Sequence, residues 1–244
     1  MTFKGLQAVK DFTVTIEEGR IYGLIGTNGA GKTTVINMLS GVLVPTAGEI
    51  YYNGKNTTGW KPDRVAKAGI VRTYQNLRLF SKMTALENVI IGAQMHRKYN
   101  FVSGLIHDRK FKRSEAKYRE TAMHMLEVMD IAQYADAEAG SLPYGCQRRL
   151  EIARILAADP KLLLLDEPAA GMNPQESQDL VQTIRQVQKE FDVTILLIEH
   201  DMKVIMSLCE HIFVMATGEV IADGTPDEIR SDAKVIAAYL GRSV

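Results

Sequence analysis

Cysteine and long apolar runs are both scarce in this chain. Its two cysteines, Cys146 and Cys209, are far apart and have no metal-ligand spacing, which is typical of reduced cytosolic thiols. The longest strongly apolar stretches, Leu162–Leu165 and Val193–Ile198, are much shorter than the roughly 20 residues that span a bilayer. The N-terminal residues show no apolar signal-peptide region. We therefore expect a cytoplasmic protein that does not cross a membrane by itself.

An excess of charge of either sign is also absent. The 244 residues include 29 lysines and arginines and 29 aspartates and glutamates, so the formal net charge is zero. Proteins that bind nucleic acid usually have a basic excess or a basic stripe, so no nucleic-acid partner is expected. What the chain does have is 46% hydrophobic and 24% charged residues, which is ordinary for a globular α/β protein with one large domain or two small ones.

Strand and helix patterns alternate in the first and last parts of the chain. Strands are predicted at Phe12–Ile16 and Arg20–Ile25, separated by a turn at Glu18-Gly19, and a helix is predicted over Lys32–Ser40. The other predicted elements of these parts are strands at Gly48–Tyr52 (ended by the turn dipeptide Asn53-Gly54), Gly69–Tyr74, Leu162–Leu165, Val193–Ile198 and Ile212–Met215, and a helix at Pro174–Glu190. Such alternation indicates a mainly parallel sheet covered by helices.

Between about Met83 and Ala158 the strand patterns disappear. Helices are predicted at Ala85–Met95 and Ser114–Met129, the second with Ala122, Met125, Leu126 and Met129 on one side. The basic and aromatic stretch Lys98–Lys112, which Gly104 interrupts, is predicted as a loop or a short excursion. We therefore expect an α/β fold in which residues 1–80 and 159–244 form the core and residues 81–158 form an inserted helical subdomain.

A glycine-rich loop, Gly26-x4-Gly31-Lys32-Thr33, lies between a predicted strand and a predicted helix, the context that a phosphate-binding loop requires. Glycines let several backbone N–H groups converge on the oxygens of a triphosphate. The lysine can then bridge the β- and γ-phosphates of ATP, and the threonine can bind Mg²⁺. A chance glycine turn is the alternative, and the strand–loop–helix context argues against it. The predicted nucleotide-binding residues are Gly26, Thr27, Asn28, Gly29, Ala30, Gly31, Lys32, Thr33 and Thr34.

Two adjacent carboxylates, Asp166 and Glu167, follow the apolar strand Leu162–Leu165. The carboxyl ends of parallel strands are where α/β proteins bind ligands. Asp166 is therefore predicted to hold Mg²⁺, and Glu167 to orient or deprotonate the attacking water. Asp-Glu-Pro is also good turn chemistry, so an ordinary surface turn is the alternative. The phosphate loop upstream favours ATP hydrolysis.

Two further polar residues follow predicted strands. His200 comes after Val193–Ile198 and could donate a hydrogen bond to a γ-phosphate, although a lone histidine is more often structural. Gln75 comes after Gly69–Tyr74, where its amide could reach Mg²⁺ or water. Neither residue type is specific alone. Their positions at strand ends make both of them candidate catalytic residues and make Gln75 a candidate metal ligand.

A second glycine turn, Leu142-Pro143-Tyr144-Gly145-Cys146, precedes a helix predicted over Gln147–Ala158. By itself it could be an ordinary helix entry. The phosphate loop, Gln75, this turn, Leu-Leu-Leu-Leu-Asp-Glu-Pro and His200, in that order, resemble the nucleotide-binding subunit of an ABC transporter over essentially the whole chain. The resemblance implies a P-loop ATPase core with a mainly parallel sheet, an antiparallel β edge and an inserted α-helical subdomain, all within one domain of residues 1–244.

In that family the glycine turn is the signature motif, Leu-Ser-Gly-Gly-Gln, which contacts the ATP of a second copy. The resemblance therefore implies a second ATPase subunit, identical or homologous, and contacts to its nucleotide by Tyr144, Gly145 and Cys146. Pro143 replaces the serine and lacks its hydroxyl, while Tyr144 and Cys146 replace a glycine and the glutamine. Asn173 also stands where most members have aspartate.

Further segments resemble branched-chain amino acid importers. They are LPYG…QRRLEIAR, DEPAAGMNP, TYQNLRLF, the closing GTPDEI…VIAAYLG and the insertion Met95–Arg113. The ATPase of lipopolysaccharide export is the nearest alternative, and a soluble ABC-type ATPase acting on DNA or ribosomes is a third.

The importer resemblance implies partners in and beyond the membrane. It implies permease subunits, which hold the chain on the inner face of the cell membrane, and indirectly a periplasmic or extracellular substrate-binding protein. The family couples to the permease near Gln75–Met83. Within that segment Leu79, Phe80 and Met83 are either exposed anchors for the permease or ordinary core residues.

The resemblance also implies an adenine contact near the N-terminus. Family members stack adenine on an aromatic side chain upstream of the phosphate loop, and Phe3 occupies that position. The family normally has a further strand before it, whereas this sequence begins at Met1. We therefore expect either a late start of translation or a clipped sequence.

Overall fold

The computed structural model of the chain describes residues 1–3, 5–96 and 109–240, which fall into two units. The core unit consists of Met1–Arg72, Lys161–Ala170 and Val187–Val244. The helical unit consists of Thr73–Pro160 and Gly171–Gln186.

The described strands all lie in the core unit. They are β1 (Thr2–Phe3), β2 (Leu6–Gln7), β3 (Ile21–Gly26), β4 (Tyr51–Tyr52), β5 (Lys55–Asn56), β6 (Ile70–Arg72), β7 (Leu162–Asp166), β8 (Thr194–Ile198), β9 (His211–Ala216) and β10 (Glu219–Gly224). The central sheet has the order β10-β9-β3-β8-β7-β6, in which only β10 is antiparallel to its neighbour. β1–β2 and β4–β5 form separate antiparallel hairpins. The predicted mainly parallel sheet with an antiparallel β edge is confirmed.

The helices are α1 (Lys32–Leu39), α2 (Pro62–Lys67), α3 (Ala85–Ala93), α4 (Arg109–Val128), α5 (Tyr144–Leu156), α6 (Pro174–Phe191), α7 (Met202–Leu208), α8 (Pro226–Ser231) and α9 (Ala233–Leu240). In the helical unit α3, α4 and α5 pack against one another. The face predicted from periodicity is buried there, with Ala122, Met125, Leu126 and Met129 each no more than 5% exposed. None of the helices in the described ranges is both long and apolar enough to cross a membrane.

The three central strands β3, β7 and β8 are buried at every residue. Strands of a parallel sheet are covered on both faces, so they read as continuous apolar runs rather than as alternating patterns. Because these strands are parallel, their carboxyl ends meet at one edge of the sheet. The segments that follow β3, β7 and β8 are therefore neighbours at that edge.

The predicted strand Phe12–Ile16 is wrong, because no described strand includes these residues. Phe12, Val14 and Ile16 are half-buried against the apolar core, whereas the residues between them are exposed. The alternating pattern therefore reports side-chain burial, but the backbone has no strand partner. The strand predicted at Gly48–Tyr52 is also too long, since only Tyr51 and Tyr52 pair, across the predicted turn, with β5.

Two predicted helices begin earlier in the structure than in the sequence pattern. α5 begins at Tyr144, whereas the pattern predicted a start at Gln147. α4 begins at Arg109, so the described end of the loop predicted over Lys98–Lys112 is helical. The rest of that stretch, including Gly104, lies outside the described residues.

Candidate functional site

The glycine-rich loop joins the end of β3 to the start of α1. Gly26 and Gly31 have positive φ angles of 154° and 103°. A Cβ at Gly31 would lie 2.5 Å from the carbonyl oxygen of Ala8, and a Cβ at Gly26 would collide with the carbonyl oxygen of Met215. Only glycine lets the backbone turn this close to its neighbours. The turn leads into the N-terminus of α1, where backbone N–H groups and the helix dipole favour an anion.

Lys32, the first residue of α1, points back over this loop. Its ammonium group donates hydrogen bonds to the carbonyl oxygens of Gly26, at 2.7 Å, and Thr27, at 3.2 Å. Burial lowers the pKa of Lys32, and the nearby carboxylates of Glu167 and Asp166 partly oppose that shift. The lysine charge therefore lies within electrostatic reach of both carboxylates.

Asp166 ends β7 and forms a buried ion pair with Arg72, which ends the neighbouring strand β6. A guanidinium nitrogen of Arg72 lies 3.1 Å from Oδ2 of Asp166, and both side chains are less than a tenth exposed. Burial raises the pKa of Asp166, whereas the charge of Arg72 opposes the rise. Arg72 also donates a hydrogen bond to the amide oxygen of Asn37 on α1, at 2.6 Å. This arginine therefore connects the carboxylate to the helix that follows the loop.

Glu167 has a backbone conformation that is unusual for its residue type. Its φ angle is +50°, in the left-handed region, which costs a non-glycine residue on the order of 1 kcal/mol or more. Its backbone N–H donates to the carbonyl oxygen of Ile198 at the end of β8, at 2.9 Å. The strained residue is therefore anchored to the neighbouring strand. Such outliers cluster at functional sites.

His200 and Glu199 follow β8 at the same edge of the sheet. Glu199 is 1% exposed and accepts hydrogen bonds from the backbone N–H groups of Ala169, at 2.8 Å, and His200, at 3.2 Å. Burial raises the pKa of Glu199, and these two hydrogen bonds oppose the rise. The imidazole of His200 is 65% exposed, and its Nδ1 lies 4.0 Å from Oε2 of Glu167 and 3.8 Å from Oε2 of Glu199.

The core unit therefore brings together the phosphate loop, Asp166, Glu167 and His200, as the sequence predicted from their positions at strand ends. Two further charged residues at this site, Arg72 and Glu199, were not predicted. Both carry a charge at or directly after a buried strand next to β7, which is the signal that could have identified them.

Phe3 lies in β1, where it pairs with Leu6 and is 41% exposed. The end of this hairpin leads to Ala8 and Val9, which pack against Gly31 of the phosphate loop. The N-terminal amine donates a hydrogen bond to the carbonyl oxygen of Val9, at 2.6 Å. Phe3 therefore belongs to a hairpin whose base contacts the loop.

Gln75 and the second glycine turn belong to the helical unit. Tyr144, Gly145 and Cys146 form the first turn of α5, and Pro143 is its N-cap, without a side-chain hydrogen bond to the helix. The prediction that these residues precede the helix is therefore wrong. The helix cannot begin earlier, because the residue before a proline is disfavoured in the helical region and Leu142 is extended.

Comparison with known proteins agrees with this geometry. Residues 9–170 match the family model of the ABC transporter, and residues 219–244 match that of the branched-chain amino acid ATP-binding cassette transporter. The chain is 47% identical over 243 residues to BraF of Pseudomonas aeruginosa, described as a high-affinity branched-chain amino acid transport ATP-binding protein, with coverage of 100% of this chain and 95% of BraF.

Two solved structures are also similar. MJ1267, an ATP-binding cassette of an ABC transporter in its ADP conformation, has a TM-score of 0.85 at 30% identity, with 99% of this chain and 96% of that chain covered. A dimeric post-hydrolysis cassette, MJ0796 bound to ADP and Pi, has a TM-score of 0.75 at 25% identity, with 90% of each chain covered. The chain belongs to the ABC transporter family, as one of its ATP-binding, ATP-hydrolysing cassettes.

Proposed function

We propose that this chain is the ATPase subunit that energises uptake of branched-chain, or other hydrophobic, amino acids. The observation that carries the proposal is that Lys32, Asp166, Glu167 and His200 meet at one edge of the core sheet beside a phosphate-binding loop. The names of the relatives supply the class of transported substrate, which is branched-chain amino acids. They also favour the importer over the lipopolysaccharide-export ATPase and over a soluble ABC-type ATPase.

In this proposal Gly26–Thr34 hold the phosphates of ATP, and Phe3 stacks on its adenine. The backbone N–H groups of the loop and the first turn of α1 donate to phosphate oxygens. Lys32 exchanges its hydrogen bonds to the carbonyl oxygens of Gly26 and Thr27 for contacts with the β- and γ-phosphates. The ammonium is available for this because its present partners are neutral.

Glu167 orients and deprotonates the attacking water, and His200 donates a hydrogen bond to the γ-phosphate. The two side chains are 4.0 Å apart at their nearest polar atoms, so both can reach one phosphate and its attacking water. Glu199 holds His200 in place, because its carboxylate accepts a hydrogen bond from the backbone N–H of His200 and lies 3.8 Å from Nδ1 of the imidazole. The proposed role of Gln75 is a further contact to the water.

The proposed Mg²⁺ ligands are Thr33, Asp166 and Gln75. Hydroxyl, carboxylate and amide oxygens are the hard donors that Mg²⁺ prefers. Mg²⁺ in nucleotide sites usually keeps several waters and is bound by one or two protein ligands together with substrate phosphates. When bound, it neutralises charge on the transferred phosphoryl group.

A second ATPase subunit, identical or homologous, completes each site. We propose that Tyr144, Gly145 and Cys146 contact the ATP that the partner's phosphate loop holds, so that binding closes two copies and hydrolysis reopens them. The dimeric MJ0796 cassette supports such an assembly. The first turn of α5 supplies N–H groups and a favourable dipole to the phosphate.

The helical unit is the proposed connection to membrane permease subunits. Of the three candidate anchors, Phe80 is 49% exposed, whereas Leu79 and Met83 are half-buried, so Phe80 is the best placed to contact a permease. The chain is then peripheral on the inner face of the cell membrane, with a periplasmic or extracellular binding protein as an indirect partner and no nucleic acid. The division into a nucleotide-binding core of residues 1–80 and 159–244 and a helical subdomain of residues 81–158 stays a prediction.

Uptake in cells tests the proposal. In a strain from which the gene is deleted, uptake of radiolabelled leucine should be lost and should return with the wild-type chain but not with Glu167→Gln. Uptake of arginine in the same cells is the control and should not change. Normal leucine uptake in the deletion strain, or a loss that affects arginine equally, would contradict the assigned substrate class.

A further inference from the structure

Arg148 joins two separate parts of the helical unit. It lies on α5, and its side chain is almost fully buried. Its two terminal nitrogens donate hydrogen bonds to the carbonyl oxygens of Tyr74, at 3.1 Å, and Gln75, at 2.7 Å, while its Nε donates to the phenol oxygen of Tyr144, at 3.1 Å. The guanidinium therefore connects residues 74–78, the Gln75 segment, to the first turn of α5.

The surroundings of Arg148 hold it in this position. Glu151, which is 1% exposed, places Oε2 3.5 Å from the Arg148 guanidinium and supplies its countercharge. Further along α5, Arg154 donates a hydrogen bond to the carbonyl oxygen of Arg78. The same helix therefore holds the backbone of the Gln75 segment at two points. If Arg148 lost these carbonyl acceptors, its buried N–H groups would be left without hydrogen-bond partners, which is costly in a protein interior.

Tyr144 extends the connection to the loop that precedes α6. A Cβ on Gly171 would lie 3.2 Å from Cε1 of Tyr144, so the loop passes directly against the phenol ring. Two residues further on, Asn173 and Glu176 exchange hydrogen bonds between side chain and backbone at 2.9 and 3.0 Å. A Cβ on Gly145 would lie 3.3 Å from Oε1 of the same Glu176. The first turn of α5 therefore packs against Gly171 of this loop and against Glu176 in the first turn of α6.

We propose that Tyr144 and Arg148 are positioning residues that couple the two ATP sites of the dimer. The inference rests on the proposed function, in which Gln75 serves the ATP of its own chain and the first turn of α5 serves the ATP of the partner. A movement of the Gln75 backbone shifts the Arg148 guanidinium through the hydrogen bond between them. The guanidinium in turn shifts the phenol of Tyr144 through its own hydrogen bond. Tyr144 stands where the family's signature motif has glycine, so this linkage depends on this chain's own sequence.

Conservative substitutions at the two ends of the Arg148–Tyr144 hydrogen bond test the coupling. Arg148→Lys keeps the charge but cannot donate in three fixed directions, and Tyr144→Phe keeps the ring against Gly171 but removes the phenol oxygen. Arg149→Lys is the matched control, because Arg149 makes its contacts with Met129 and Asp130, in the turn after α4, instead. The measurements are the Hill coefficient of ATP hydrolysis, the ADP affinity of the monomer and the thermal midpoint, each also for the double variant.

The coupling predicts a Hill coefficient close to the number of sites, about 2, in the wild type and a fall towards 1 in Arg148→Lys and in Tyr144→Phe. ADP affinity of the monomer should be retained in both. The double variant should be no worse than the more affected single variant, since both substitutions break the same bond. Arg149→Lys should keep the wild-type coefficient.

Two results would overturn the coupling. One is a wild-type Hill coefficient in both single variants. The other is a fall in the Hill coefficient that is equally large in Arg149→Lys and that parallels the loss of thermal stability across the variants. A wild-type protein that neither dimerises with ATP nor hydrolyses it cooperatively would instead contradict the dimer of the proposed function, and the coupling with it.

Discussion

The Nδ1 of His200 lies 4.0 Å from Oε2 of Glu167, although the two residues follow different strands of the core sheet. His200→Ala should lower kcat on the order of a hundredfold, because the γ-phosphate loses a hydrogen-bond donor while the phosphate loop still holds the nucleotide. ATP affinity should change much less than kcat. His124→Ala, at an exposed histidine of α4, is the control for general effects. Equal losses in affinity and in kcat would show that His200 acts in binding rather than in hydrolysis.

Arg72→Met removes the guanidinium that faces the buried Asp166. We expect a loss of about 3 kcal/mol in the free energy of unfolding, since both members of the pair are buried. Arg20→Met breaks an exposed pair with Glu17 and should cost less than about 1 kcal/mol. Denaturant titrations of the two variants measure the difference, and similar losses would show that the burial of the Arg72 pair is unimportant.

The Arg72→Met deficit should also depend on pH. Burial raises the pKa of Asp166 above its ordinary value of 3.8, and loss of Arg72 raises it further. The folded state then binds the proton more tightly than the unfolded state, so stability falls as pH rises through the raised pKa. The deficit relative to wild type should therefore be smallest near about pH 4 and largest near neutral pH. A deficit that grows towards acid pH would contradict this account.

Lys32→Met should separate nucleotide binding from stability. Burial of the Lys32 ammonium lowers its pKa, so the charge costs the folded protein stability at neutral pH, and the variant should unfold no earlier than wild type without nucleotide. ATP at 100 times its Kd should stabilise the wild type by about 2.7 kcal/mol, or roughly 5–10 °C in Tm. The variant should lose this shift, and Lys67→Met, at an exposed lysine of α2, should keep it. If ATP raised the Tm of Lys32→Met as much as that of the wild type, the assignment of the glycine-rich loop as a phosphate-binding loop would be contradicted.

Pro143→Ser combined with Cys146→Gln restores the family's signature residues at the N-cap and third positions of α5. A serine N-cap with glutamine three residues later is a capping box, worth about 1 kcal/mol. Loss of proline offsets about 0.4–1 kcal/mol of that, so stability should change little. The ATPase rate should rise severalfold, because the partner's nucleotide gains a hydroxyl contact. An unchanged rate would show that Gly145 and the helix end suffice.

Most of the core unit could be predicted from the sequence because its strands are continuous apolar runs that end in polar residues. The ends of β7 and β8 place Asp166, Glu167 and His200 by the geometry of a parallel sheet alone. Phe12–Ile16 failed because an alternating pattern reports which side chains are buried and not which backbones pair. β10 lacks a strong apolar pattern, with five of its six residues at least partly exposed, and was not predicted.

The charged contacts around the site could not be read from residue patterns. The Arg72–Asp166 pair joins residues 94 positions apart, and its existence depends on the order of β6 and β7 in the sheet. The contacts of Arg148 depend in the same way on how α5 meets the segment after β6. Such pairs follow from topology, which periodicity within one segment does not contain.

The most direct measurement is the mass of Glu167→Gln in solution with ATP and Mg²⁺, taken together with its ATPase rate. The amide is isosteric but cannot take a proton from water, so turnover should fall at least a hundredfold while ATP stays bound. Light scattering should then find a dimer with ATP and a monomer with ADP. Hydrolysis at the wild-type rate would contradict the assignment of Glu167 as the base, and a monomer with bound ATP would contradict closure of two copies around the nucleotide.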